Sequence, residues 1–110
     1  VEIEFDTGKL EKTLNSEALI RREYGEQAGK IMTRLGVLRS AANLSLVPEH
    51  KPERRHELSG GWSGCFAVDL KHPFRLIFRP AQDPVPRKGD GGIDLIQVTA
   101  IRIMAIEDYH

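Results

Sequence analysis

Apolar and polar residues alternate singly from Val1 to Phe5. That period of two predicts a short strand with Val1, Ile3 and Phe5 on one face and Glu2 and Glu4 on the other. Asp6-Thr7-Gly8 is turn chemistry and a helix entry. Leu10 and Leu14 fall one helical turn apart, Asn15-Ser16 interrupts and recaps the helix, and Ala18 to Tyr24 continues it up to Gly25. Ala28, Ile31, Leu35, Leu38 and Ala42 then recur at spacings of three and four, one apolar stripe along a second helix, with Lys30, Arg34 and Arg39 off the stripe.

Beyond Pro48 and Pro52 the period returns to two. Arg55 to Leu58 reads as a short strand, Ser59 to Gly64 as a glycine-rich turn, and Cys65 to Leu70 as a strand with Phe66, Val68 and Leu70 on one face. Phe74 to Arg79 alternates again, Phe74, Leu76 and Phe78 opposite Arg75, Ile77 and Arg79. Ala81 to Gly92, rich in Pro, Gly and Asp, reads as a flexible loop. Leu95 to Ile106 is apolar on both parities, the pattern of a central strand covered on both faces. The order β-α-α-β-β-β-β predicts an α+β fold: two N-terminal helices packed on a mostly antiparallel, twisted sheet of four to five strands. At 110 residues the chain is expected to form one domain, 1–110, with a modest core.

Charge adds one local feature. Acidic and basic side chains balance at 16 each, so net charge points to no partner. Between Lys51 and Arg79, however, six basic residues (Lys51, Arg54, Arg55, Lys71, Arg75, Arg79) face three acidic ones (Glu53, Glu57, Asp69), and His50, His56 and His72 lie in or beside that stretch. Such a field either attracts phosphate or is a solvated surface. The single cysteine, Cys65, excludes an intramolecular disulfide, reads as a packed thiol and suits a reducing compartment. No segment has the apolar length of a signal peptide or membrane helix, and the expected location is the cytosol, with no membrane partner.

The chain ends in Glu107-Asp108-Tyr109-His110, which places a carboxylate, a phenol and an imidazole at the end of the last apolar segment. Either this is a polar tail or it is an acid–base set on rigid support. With His56, Arg75 and Arg79 on neighbouring strands, the set suits phosphodiester cleavage in RNA. That reaction needs a base for the 2′-hydroxyl proton, an acid for the departing 5′-oxygen and fixed positive charge at the phosphorane. Histidine titrates near neutrality, and arginine is always charged and binds phosphate through two N–H groups. No zinc-ligand spacing, phosphate loop or dinucleotide fingerprint is visible, so neither a metal nor a cofactor is implied. Strand arginines also commonly pair with carboxylates, and Asp69 is available for that.

Several segments together resemble the RelE/ParE toxin superfamily, and within it the HigB-like branch of bacterial toxin–antitoxin systems. They are Arg21-Arg22-Glu23-Tyr24-Gly25, Arg34-Leu35 with Leu38, His56-Glu57-Leu58 before a glycine turn, Pro73-Phe74-Arg75-Leu76-Ile77-Phe78, and the terminal Glu107 to His110. The resemblance spans essentially the whole chain. It implies ribosome-dependent, metal-independent cleavage of messenger RNA that stops translation. It also implies neutralisation by a cognate helix-turn-helix, HigA-like antitoxin, through which alone operator DNA would be reached. His56 and His110 match the family's acid–base histidines, Asp108 and Tyr109 its other terminal active-site positions, and Arg75 the arginine that holds the scissile phosphate. Arg55, Lys71 and Arg79 would meet the RNA backbone.

The resemblance has a gap. The family's basic Lys-Gly-Asp-Arg-like turn is replaced by Ser59-Gly60-Gly61-Trp62. Trp62 either stacks on a base or packs against the turn. Arg87-Lys88 in the long loop either touches ribosomal RNA or keeps the loop solvated. The helix face carrying Arg34 and Arg39 is one expected antitoxin surface. Two other activities stay open on the same fold: gyrase inhibition of the ParE type without nuclease chemistry, and a member that only binds its antitoxin.

Overall fold

Thr7 and Ser16 set the helix starts. The Thr7 hydroxyl accepts the Leu10 N–H at 3.1 Å and the Ser16 hydroxyl accepts the Leu19 N–H at 3.2 Å, caps worth about 1 kcal/mol each over alanine. They open α1 (Gly8–Leu14) and α2 (Glu17–Tyr24), so the first expected helix is split at Asn15-Ser16. Gly25 ends α2 at a φ of 54°, a region a residue with a Cβ enters only at a cost. A 3-10 turn, Gly25–Gln27, leads into α3 (Ala28–Ser40).

The structure is a computed structural model and describes residues 1–108. Five strands form one mixed sheet: β1 (Glu2–Phe5), β2 (His56–Glu57), β3 (Phe66–Asp69), β4 (Phe74–Pro80) and β5 (Ala100–Asp108). Their spatial order is β1-β5-β4-β3-β2. β1 runs parallel to β5, and every other pair is antiparallel. The helices cover one face. Ile31, Leu35 and Leu38 of α3 join Leu14, Ile20, Phe66, Val68, Leu76, Phe78, Ile101 and Ile103 in the main core. Phe66 and Phe78 lie opposite each other on β3 and β4 and stack with ring centroids 6.1 Å apart, an arrangement that adds to their burial. Among the described residues no helix is long and apolar enough to cross a membrane.

Three expectations are corrected. The last strand begins at Ala100, not Leu95. Residues Leu95–Gln97 form a 3-10 turn, because the Gln82 side chain takes the Gln97 carbonyl and the Thr99 N–H, both at 2.9 Å, in place of a strand partner. The segment from Ala81 to Gly92 is no loose loop. Arg87 bridges Ile93, Lys88 N–H reaches the Gly92 carbonyl at 2.8 Å, and Ile93 is buried beneath. Arg34 does not face solvent beside Arg39. It is buried, and its guanidinium donates to the Asp69 carbonyl at 2.6 Å and the Pro52 carbonyl at 3.3 Å, tying α3 to β3 and to the connection before β2. Hydrogen-bonded in this way, a guanidinium is tolerated inside, and it cannot contribute to an antitoxin surface.

Candidate active site on the open face of the sheet

The face turned away from the helices collects the chemistry. Alternation puts Arg75, Ile77 and Arg79 of β4 on it. Pairing extends the set: His56 lies opposite Ala67, Ala67 opposite Ile77, Ile77 opposite Ala105, and Arg75 opposite both Asp69 and Glu107. His56 and Arg75 are therefore two strands and one pleat apart on the same surface, about 10 Å in the cross-strand direction. A small apolar cluster supports them, with Cys65, Ala67 and Ile77 buried under Leu58, Trp62 and Met104.

A bulge decides which terminal carboxylate reaches this face. Phe78 pairs with Ile103 but Ile77 with Ala105, so Met104 is an extra residue in β5. One extra residue reverses the facing of all that follows. Glu107 consequently joins Arg75 on the open face, while Asp108 pairs with Phe74 on the register of the covered side, exposed at the strand end. Glu107 stood in the terminal motif but not among the site candidates. A strand apolar on both parities hides a bulge, so no pattern in the sequence marks it.

Glu107 links two groups. Its Oε1 accepts the Trp62 indole N–H at 3.2 Å and lies 3.9 Å from an Arg75 guanidinium nitrogen. The Arg75 side chain is 15% exposed and Glu107 43%, so the cation is held in place yet reachable. Beside it, Arg54 grips Asp69 with two hydrogen bonds, 2.7 and 3.0 Å. Arg54 takes a φ of 46°, uncommon for a residue with a Cβ, and the grip on Asp69 holds it there. This places the Arg54 carbonyl 2.8 Å from His56 Nδ1. A carbonyl only accepts, so Nδ1 is the donor, which leaves Nε2 as the ring nitrogen not engaged by that contact.

The remaining candidates are dispersed. Arg55 is buried, its guanidinium donating to the Val47 carbonyl at 2.9 Å and lying 3.5 Å from Glu49. Lys71 sits in the β3–β4 turn, bound to Glu26 at 2.9 Å and, through its backbone, to Gln27 at the start of α3. Arg79 is exposed on the open face, four residues beyond Arg75. Trp62 lies over the small cluster with its indole N–H engaged. Tyr109 and His110 lie outside the described residues. Burial pushes the Cys65 thiol up from its usual range, with the Arg79 cation pulling the other way. Among the described residues, no group of three His, Cys, Asp or Glu side chains could hold a metal ion.

A second feature opens on this face. A cleft of about 640 Å³ lies between the turn at 61–65 and the hairpin at 81–93; Trp62, Arg79 and Arg102 line it, and neither His56 nor Arg75 does.

No protein-family model matches the sequence, and no curated protein matches it either. Among solved structures, the chain is similar to the crystal structure of a histidine-to-glutamine mutant of YafQ from E. coli, at 15% identity and a TM-score of 0.59. The likeness covers 98% of this chain and 92% of that one. It shows the fold: helices packed on a five-stranded mixed sheet in a RelE/YafQ-like arrangement.

Proposed function

We propose that this protein is a toxin of the RelE type, in its HigB-like branch, that cuts messenger RNA on the ribosome and is held in check by a cognate helix-turn-helix antitoxin. The observation that carries the reading is that one open sheet face carries both His56, its Nδ1 held by the Arg54 carbonyl, and, two strands away, Arg75 opposite Glu107 near the end of β5. The RelE/YafQ-like fold and the terminal Asp108-Tyr109-His110 support it.

In this reading a base removes the proton from a ribose 2′-hydroxyl. The oxygen attacks the adjacent phosphorus, and the bond to the 5′-oxygen breaks. An acid protonates that oxygen, leaving a 2′,3′-cyclic phosphate and a 5′-hydroxyl. His56 serves as the base through Nε2, and His110 or Tyr109 as the acid. Arg75 moves from Glu107 to the phosphate, where its charge meets the growing negative charge of the phosphorane. The ribosome supplies the substrate in a fixed conformation, which lets a modest protein site suffice.

The test is inducible expression of the wild type beside His110→Ala. The wild type arrests growth and creates new in-frame 5′ ends in cellular transcripts, and the variant does neither. Equal arrest by both would remove the catalytic assignment. Arrest with DNA damage and inhibited gyrase supercoiling, without transcript cuts, would favour the gyrase-directed alternative.

A further inference from the structure

We propose that the cleft between the turn at 61–65 and the hairpin at 81–93 is a nucleotide subsite. It would take a phosphate and base of a single RNA strand next to the nucleotide cut beside Arg75. The inference rests on the nuclease reading and adds to it a second point of substrate recognition.

The first observation is an arginine with nothing to bind. Arg79 and Arg102 lie directly opposite each other on β4 and β5, and like charges in that position destabilise a sheet. Arg102 is answered by Glu4 at 3.3 Å and Asp6 at 3.6 Å. Arg79 is exposed and makes no hydrogen bond or ion pair among the described residues. Arg87, on the hairpin, also lines the cleft, and Asp83 is the one carboxylate of its lining besides Glu4. The excess is therefore cationic, and its exposed guanidinium is a planar fork suited to phosphate oxygens.

The second observation is where Trp62 stands. Its side chain lines this cleft, and its indole N–H binds Glu107, the partner of Arg75. One ring thus borders both the cleft and the proposed catalytic end, where its face can stack a base regardless of identity. Along β4, Arg75 and Arg79 are four residues apart, about 13 Å, so an extended strand can touch both cations without leaving the sheet. The hairpin at 81–93, which forms the far wall, is anchored through buried Ile93.

Trp62 is the only tryptophan in the chain, so its fluorescence reports on the cleft directly. The probe is a 5′-phosphorylated trideoxynucleotide, which lacks the 2′-hydroxyl and cannot be cut. Titrated into the full chain, it should quench the emission saturably. Arg79→Gln, an exposed change checked for folding by thermal melting, should weaken binding about tenfold and lower the salt slope by about one. No quench by the wild type, or equal binding by Arg79→Gln, would overturn the subsite and leave the nuclease reading intact. Binding that Arg79→Gln weakens, in a protein that leaves cellular transcripts uncut, would keep the subsite and remove the nuclease. Inorganic pyrophosphate binding as tightly as the trinucleotide would overturn the stacking role of Trp62.

Discussion

The two faces of one sheet have been given opposite tasks. On the covered face, β4 places Leu76 and Phe78 fully buried against the helices. On the open face the same strand offers Arg75 and Arg79, with only a small cluster around Ile77 beneath them. The covered face derives its worth from area removed from water, and its side chains are interchangeable with others of like volume. The open face derives its worth from the placement of a few charges, and volume is secondary there. Side chains one residue apart in β4 should therefore fail in different ways when changed.

The largest effect belongs to the covered face. Phe78→Ala should cost about 3–5 kcal/mol, enough to lower the melting temperature sharply; a variant that melts with the wild type would mean the stacked Phe66–Phe78 pair is not central to the core. Next comes Arg75→Gln. It should reduce cleavage by 100-fold or more, the scale of losing one transition-state donor, while shifting stability by less than about 1 kcal/mol because its ion pair is partly exposed. A large loss of stability with unchanged cleavage would invert the division between the faces.

Arg34→Met sits between the two, since it breaks the tether from α3 to β3 without touching the open face. It should destabilise by about 1–3 kcal/mol by leaving the Asp69 and Pro52 carbonyls short of a partner. Asp69→Asn should be milder in stability, about 1 kcal/mol. By loosening Arg54 it should free the His56 ring, and 15N chemical shifts of His56 should show the Nδ1–H tautomer losing its dominance. The smallest expected effect concerns Cys65. Burial raises its thiol pKa and Arg79 lowers it, so Arg79→Gln removes the lowering cause, leaves less thiolate at a given pH and slows alkylation at pH 8.

The covered face was legible in the sequence almost throughout, because burial writes itself as period. The stripe Ala28–Ile31–Leu35–Leu38 and the alternation of Phe74–Leu76–Phe78 named core residues correctly, whereas Ala42, expected to end that stripe, lies past the helix and is exposed. The open face was legible only in part. His56 and Arg75 do share a surface, but Arg55, equally basic in sequence, is buried and committed to Val47 and Glu49. A polarity pattern reads charge and cannot see that a carbonyl waits inside to satisfy it. The bulge at Met104, which exchanges Glu107 for Asp108 on the open face, is set by hydrogen-bond register between strands distant in sequence. The compact hairpin at 81–93 likewise depends on Ile93 and Gln82 reaching partners outside it.

The most direct measurement is cleavage of a defined messenger RNA on translating ribosomes by the purified wild type, Arg75→Gln and His56→Ala, with fragment ends identified chemically. The open-face account predicts fragments ending in 2′,3′-cyclic phosphate and 5′-hydroxyl from the wild type, and at least a 100-fold loss in Arg75→Gln. Intact message with the wild type, or undiminished cutting by both variants, would contradict it.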